Sequence, residues 1–124
     1  MRKLPSSAAA TVRQFALQME VEPVEASDGA YSFDFERNGR LSILASEDDH
    51  ILVSLTGKLL LDDIRGDAQI LPASGYRAET DNLVHVGLNK AGQPVLATRV
   101  PSNRFDLPFL EQSFSTMAES LSNA

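Results

Sequence analysis

Hydrophobic residues recur near the start of the chain at the spacing of one helix face, which predicts a helix over Ser7–Glu20. The face consists of Val12, Phe15, Ala16 and Met19. Arg13, Gln14 and Gln18 fall on the opposite face, so we expect this helix to pack on one side only. Pro23 prevents the helix from continuing, because proline has no amide hydrogen to donate.

A second amphipathic helix is predicted near the C terminus, after Pro101. Asp106 is a residue type that caps helix N-termini, and Pro108 is well tolerated in a first turn. The apolar seam follows at steps of three and four residues and comprises Leu107, Leu110, Phe114, Met117 and Leu121. We expect this seam to lie on a sheet, since helical stripes usually bury against their own domain.

A hairpin is predicted just before this helix and organises the rest of the fold. Two β-rich runs, Leu83–Leu88 and Pro94–Val100, flank a short polar turn. If Gly92 takes a left-handed conformation and closes a three-residue loop, the register is defined. The pairs expected on one face are Val86 with Leu96 and Val84 with Thr98. The second face consists of Leu83, His85, Val95, Ala97 and Arg99.

An earlier hairpin is predicted by the alternation of Tyr31, Phe33 and Phe35 with polar residues, followed by a strand over Leu41–Ser46. A two-residue loop at Asn38 and Gly39 would divide the apolar side chains between both faces. A three-residue loop, Arg37 to Gly39, collects them on one face and is therefore preferred. The expected pairs are Phe35 with Leu41, Phe33 with Ile43 and Tyr31 with Ala45.

A third strand is predicted over Ile51–Thr56, with Ile51, Val53 and Leu55 pointing inward. By the same alternation, Leu44 and Leu52 face away from the helices. Apolar side chains on that face indicate a partner, although scattered surface leucines are also common. The residues predicted to bind a partner are Leu44, Leu52, Ser42 and Ser54.

The middle of the chain gives a weaker pattern. Lys58–Ala73 is ambiguous, because its leucines suit either a longer strand or a short helix through Ile64. Gly66 and Pro72 limit both structures. Two further segments read as loops, Val24–Ala30 and Ala73–Asn82.

Composition narrows the class of protein. A chain of 124 residues, 43% hydrophobic and 23% charged, is expected to form one soluble domain over residues 1–124. It has no cysteine, so disulfides and thiolate metal sites are excluded. The net charge of −6 argues against nucleic acid as a partner. Without a signal peptide or a membrane-spanning run, we expect a cytoplasmic protein with no membrane insertion.

Residues suited to catalysis are few. No phosphate-binding glycine motif or catalytic signature is present, and the chain has two histidines, His50 and His85. The cluster Glu47 to His50 is acidic enough for a metal or acid–base site, but a solvated turn is the simpler interpretation. Asp62 and Asp63 similarly read as the polar end of the leucine run. We therefore expect no enzyme activity, no cofactor and no metal.

The order of elements resembles a known family. The chain reads as helix, three strands, variable middle, two strands and helix, which resembles the class I type III secretion chaperones, the Tir chaperone (CesT-like) family. The resemblance is carried by YSFDFE in the first strand, VGLNKAGQPVLATRVP in the last hairpin and DLPFLEQSFSTMAESL in the last helix. It departs at Asp67–Tyr76, where relatives usually have a clearer helix.

The resemblance implies an α+β fold, with a twisted, mainly antiparallel five-stranded sheet and both terminal helices on one face. It also implies an ATP-independent homodimer that holds the N-terminal region of a secreted effector in extended form, a role associated with virulence. The apolar second face supplies the dimer interface predicted here, at His85, Val95 and Ala97. Two alternatives remain open, a regulatory adaptor of the same fold that binds another cytosolic protein, and a small-ligand or enzyme domain.

Overall fold

Two helices and seven strands form the described part of the chain, which the computed structural model gives for residues 4–25, 29–35, 39–46, 48–57, 75–77 and 82–122. The helices are α1 (Ser6–Met19) and α2 (Leu107–Ser122). The strands are β1 (Val24–Glu25), β2 (Tyr31–Phe35), β3 (Gly39–Ala45), β4 (His50–Thr56), β5 (Gly75–Arg77), β6 (Asn82–Leu88) and β7 (Pro94–Pro101). A short 3₁₀ turn, Ser102–Arg104, joins β7 to α2.

All seven strands belong to one antiparallel sheet with the order β1-β2-β3-β4-β7-β6-β5. The five predicted strands are β2, β3, β4, β6 and β7, so the predicted fold class is confirmed. The predicted strand count is wrong, because β1 and β5 lie in segments that were expected to be loops. These edge strands have two and three residues, too few to show the alternation by which longer strands are recognised.

Both helices pack on the inner face of the sheet through aromatic rings. Phe15 of α1 meets Phe33 of β2 and Phe114 of α2, each with ring centroids 5.8 Å apart. Phe114 also lies 4.6 Å from Phe35. These contacts connect the two helices to each other and to the sheet. The core therefore lies between the helices and one face of the sheet.

Helix α1 confirms most of its predicted face. Val12, Phe15 and Ala16 are buried, but Met19 is 38% exposed. The prediction for Met19 is wrong because the helix ends there. The next residue, Glu20, takes a left-handed conformation with φ of 56°, which caps the C-terminus of the helix.

Helix α2 begins as predicted. The Asp106 carboxylate accepts a hydrogen bond of 2.8 Å from the backbone amide of Phe109, which is the geometry of an N-cap. Leu110, Phe114 and Met117 are buried, and Leu107 packs partly buried against them. The predicted seam is confirmed along this length, while the side chain of Leu121 lies outside the described residues.

The register of the last hairpin is confirmed. Val86 pairs with Leu96 and Val84 with Thr98. Gly92 has a φ of 84° and closes a three-residue loop between Asn89 and Gln93. The Asn89 side chain also accepts a 3.0 Å hydrogen bond from the amide of Ala91, which supports the turn from within. The three residues of the loop are Lys90, Ala91 and Gly92.

The register of the first hairpin differs from the prediction by two residues. Phe33 pairs with Leu41 and Tyr31 with Ile43, and Phe35 pairs with Gly39. A shift of two leaves each side chain on its predicted face, so the hydrophobic pattern does not distinguish the two registers. Gly39 has a φ of 106°, and a Cβ built there lies 1.9 Å from the carbonyl oxygen of Thr56. Gly39 therefore lies in strand β3 and not in the turn, and the contact with Thr56 requires glycine at this position.

The ambiguous segment Lys58–Ala73, for which a strand and a short helix were both open, lies outside the described residues, as do Asp62 and Asp63 within it. The described residues that follow form the short strand β5, which pairs with β6. Tyr76, at the end of the region where the family resemblance is weakest, lies in this strand.

One buried hydroxyl makes a stability prediction possible. Ser113 on α2 is 2% exposed, and its Oγ has no hydrogen-bond partner among the described residues. We expect Ser113→Ala to raise the free energy of unfolding, because it removes a buried polar group without its bond. Ser120→Ala is the control, since the Ser120 hydroxyl donates to the carbonyl of Thr116 at 3.0 Å. Both changes share the same gain in helix propensity.

Urea denaturation of the two variants measures the difference. Ser113→Ala should be more stable than Ser120→Ala by about 1 kcal/mol. Equal stability of the two variants would contradict the assignment of Ser113 as unsatisfied.

Candidate functional site

The face of the sheet turned away from the helices, called the outer face below, carries every predicted site residue. Strand alternation places Ile43 and Val53 fully buried on the inner face, and their neighbours Leu44 and Leu52 half-buried on the outer face. The described side chains of the outer face are Val24, Ser32, Asp34, Arg40, Ser42, Leu44, His50, Leu52, Ser54, Thr56, His85, Val95, Ala97, Arg99 and Pro101, together with the bare backbone of Gly87.

Leu44 and Leu52 form a direct cross-strand pair on β3 and β4, with Arg99 of β7 next in the same row. The two leucines are therefore neighbours, not scattered surface residues. Both stay partly accessible, so an apolar side chain of a partner can be buried against them. Their predicted orientation is confirmed, and their role in binding stays a prediction.

A row of short side chains crosses the sheet beside the leucines. Ser42 pairs with Ser54, Ser54 with Ala97, and Ala97 with His85. Ser32 extends the row on the other side of Ser42. This row therefore connects two predicted sites. Ser42 and Ser54 belong to the predicted partner-binding residues, and Ala97 and His85 belong to the predicted dimer interface.

A third row runs parallel on the other side of the short residues. It joins the pair Asp34 and Arg40 to Thr56, Val95 and Gly87. On β3, β4 and β7 the residues on either side of the short row carry longer side chains than Ser42, Ser54 and Ala97, so the outer face has a shallow trough there. An extended chain is the shape that such a trough accommodates.

Ion pairs mark two ends of the outer face. Arg40 Nε donates to Asp34 Oδ1 at 2.9 Å, and the bond and charge of Asp34 raise the pKa of Arg40. At the other end, Arg99 pairs with Asp48 of the β3–β4 turn. All four side chains are about half exposed or more, so these ion pairs add little to the stability of the fold. Their main effect is on the charge around the trough.

The acidic turn before β4 is a structural clamp. Asp48 accepts a hydrogen bond from Ser46 and lies 3.4 Å from His50 Nδ1. Asp49 adopts a left-handed conformation, with φ of 63°, and its carboxylate accepts a 2.8 Å bond from Ser102 Oγ. The turn was expected to be merely solvated. It is exposed, but its carboxylates tie it to the end of β7.

Within the ranges that the structure describes, no group of three or more His, Cys, Asp or Glu side chains is placed to hold a metal. A polar hollow of about 400 Å³ opens beside Asp34 and Arg40. Its lining includes Gly39, Thr56, Gly57, Asn89 and Gln93. Small-molecule sites are usually more apolar, so the hollow does not favour the small-ligand interpretation.

Sequence reasoning missed several exposed apolar side chains. Leu17 on α1 is 80% exposed, Val24 on β1 is 60% exposed and Leu88 beside the last turn is 57% exposed. Leu17 is detectable from the sequence, because it falls opposite the buried stripe of α1. Val24 is not, because a two-residue strand leaves no pattern.

The edge strand β1 covers only part of its neighbour. It pairs with Ser32 and Tyr31 of the five-residue strand β2. A hydrogen bond with the Glu25 carboxylate, and then burial, raise the pKa of Tyr31. This contact attaches β1 to the sheet at the side chain as well as at the backbone.

Solved structures share this architecture at low sequence identity. The Yersinia pestis type III secretion chaperone SycH, in complex with a stable fragment of YscM2, has a TM-score of 0.65 and 11% identity, covering 94% of this chain and 99% of that chain. The HopA1–SchA chaperone–effector complex gives 0.64 and 13%, with coverage of 93% and 91%. The ExoT–SpcS complex from Pseudomonas aeruginosa gives 0.65 and 13%, with coverage of 96% and 97%. The fold is therefore that of type III secretion chaperones.

The family follows from the sequence itself. Residues 11–124 match the model of the Tir chaperone protein (CesT) family, so the chain belongs to that family and the predicted resemblance is confirmed. Among curated proteins no match was found. Neither helix of the described residues has the length and apolar character needed to cross a membrane.

The clamp of the β3–β4 turn can be tested by a double-mutant cycle. Ser102→Ala should lower the free energy of unfolding by about 1 kcal/mol, because it removes the donor to Asp49. Asp49→Gly is the partner change, since glycine removes the acceptor and tolerates the left-handed backbone. Urea denaturation of both single variants and the double variant should give a coupling energy of about 0.5 kcal/mol or more. Strict additivity would show that the bond contributes nothing.

Proposed function

We propose that this protein is a cytoplasmic type III secretion chaperone that binds the N-terminal region of a secreted effector. It keeps that region extended and secretion-competent, acts as one domain and catalyses no reaction. The observation that supports the proposal most is the outer face, where a leucine pair borders a trough of short side chains and no described helix covers it.

Family membership and the structural neighbours support the same role. The three structures compared are a chaperone with a bound fragment, a chaperone–effector complex and a further two-protein complex. Their partners are proteins, which favours a protein client here over a small ligand.

The physical basis of client capture is burial of apolar surface. Leu44 and Leu52 offer half-buried side chains that an apolar client residue can cover, and such burial is spontaneous in water. Nothing in this step requires nucleotide hydrolysis. Main-chain bonds to the edge of β2 that β1 leaves uncovered would add affinity without demanding one client sequence.

Homodimer formation is the second part of the proposal. His85, Val95 and Ala97 form a patch on β6 and β7 that contains no Asp, Glu, Lys or Arg. A two-fold contact between two such patches is the commonest closed arrangement for a protein with an exposed apolar surface.

Client binding is tested by changing the outer leucines. Leu44→Glu combined with Leu52→Glu should leave the fold and the dimer intact and weaken client capture by several kcal/mol, because burying each leucine is worth roughly 1.5 to 3 kcal/mol. The measurement is a pull-down, without ATP, using the N-terminal segment of the secreted protein encoded by a neighbouring gene. Melting curves and light scattering accompany each variant.

Ile43→Glu is the matched control on the same strand. Ile43 is fully buried, so this change should unfold the domain. If the double variant melts normally, stays dimeric and captures the client at wild-type strength, the outer leucines are not the binding site. Capture of a folded partner, with no affinity for the extended segment, would favour the regulatory adaptor instead.

The dimer has its own test. Light scattering on the purified protein at micromolar concentration should give about twice the chain mass of 13.5 kDa. A mass equal to one chain over the whole concentration range would exclude the homodimer.

A further inference from the structure

A cationic residue continues the leucine pair of the outer face. Leu44 pairs with Leu52, and Leu52 pairs with Arg99 on β7, so the three residues form one row across three strands. Both leucines are half-buried, and the Arg99 side chain is 49% exposed. One side of the trough therefore offers an apolar contact and a positive charge next to each other.

The spacing within this row matches that of an extended polypeptide. Neighbouring strands lie about 4.8 Å apart, so Arg99 is about 7 Å from the midpoint of the leucine pair. In an extended chain, residues two apart point to the same side and are also separated by about 7 Å. A segment that crosses the strands in the trough can therefore place one side chain over the leucines and the next but one beside Arg99.

The floor of the trough suits the main chain of such a segment. Ser42, Ser54 and Ala97 cross the same three strands over about 10 Å, which is the length of about three extended residues. Their short side chains let a backbone approach closely. A serine hydroxyl both donates and accepts, so Ser42 and Ser54 suit the N–H and the C=O groups of a client main chain alike.

The position of Arg99 already accommodates a carboxylate. Asp48 of the β3–β4 turn pairs with its guanidinium, and the Asp48 side chain is 53% exposed. Because so exposed a pair contributes little to stability, a client carboxylate can replace Asp48 or join it at small cost. A guanidinium has five N–H donors in a planar fork, which allows contact with more than one carboxylate.

We propose that the outer face selects extended client segments in which an apolar residue and an Asp or Glu are separated by one residue. The apolar side chain covers Leu44 and Leu52, and the carboxylate binds Arg99. This inference rests on the client binding of the proposed function and adds the chemistry of the segment that is bound. Since the residue between the two points to the opposite side of the trough, its identity matters less.

Three peptides test the pattern in either direction of the chain. The probe is a flexible glycine–serine peptide with Glu-Ser-Leu-Ser-Glu at its centre. One control replaces both Glu by Gln, and the other, Ser-Glu-Leu-Glu-Ser, has the same composition with both carboxylates shifted by one position. Titration of isotope-labelled protein, followed by the NMR signals of Ser42 and Ser54, gives each dissociation constant. The probe should bind about threefold tighter or more than both controls, with a smaller difference at high salt.

Variants of the protein assign the preference to one side chain. Arg99→Gln should make the three peptides bind alike. Arg104→Gln is the matched control, because it removes the same charge from the 3₁₀ turn outside the sheet and should keep the preference. Asp48→Asn removes the competing carboxylate and should strengthen the preference. Melting curves establish that each variant is folded.

The outcomes separate this inference from the proposed function. Equal binding of the three peptides to the wild-type protein overturns the selection of a carboxylate, but it leaves client binding on the outer face standing if the Ser42 and Ser54 signals still shift. A preference that survives Arg99→Gln also overturns it. If no peptide shifts these signals, the inference fails, and the client pull-down decides independently on the proposed function.

Discussion

The contact between four phenylalanine rings determines which face of the sheet is available for binding. Phe15 and Phe114 bring both helices onto Phe33 and Phe35, so the aromatic area of the domain is concentrated on one side. Aromatic side chains contribute the largest buried area per residue, and these four rings all lie on the inner face. The outer face is consequently held in place by a core to which it does not contribute. Core packing therefore does not constrain its side chains, and they are available to contact partners.

Much of the fold can be predicted from the sequence. Five of its strands are long enough to show alternating hydrophobic residues, and both helices are long enough to show a repeating apolar face. The last hairpin is the clearest case, since Gly92 fixes the turn and thereby the register. The first hairpin shows the limit. Two registers that differ by two residues bury the same side chains, and the close approach of Gly39 to the backbone of Thr56 decides between them. No pattern within one strand reports a contact with another strand's carbonyl.

The candidate site was partly predictable for the same reason. Alternation alone places Leu44 and Leu52 outward, but only strand pairing shows that they are direct neighbours and that Ala97 links the two predicted sets. The clamp of Asp49 on Ser102 spans 53 residues of sequence and has no local signal.

The shortness of the outermost strands has a further consequence for a protein that exposes apolar surface. Long, flat edge strands are templates for endless pairing between molecules and lead to fibres. The two outermost strands described here offer two and three residues, and the first of them ends in a carboxylate at Glu25. A neighbouring molecule therefore gains few backbone hydrogen bonds by stacking edge to edge. Edge-to-edge polymerisation is therefore disfavoured, although the outer face leaves Leu44 and Leu52 partly accessible.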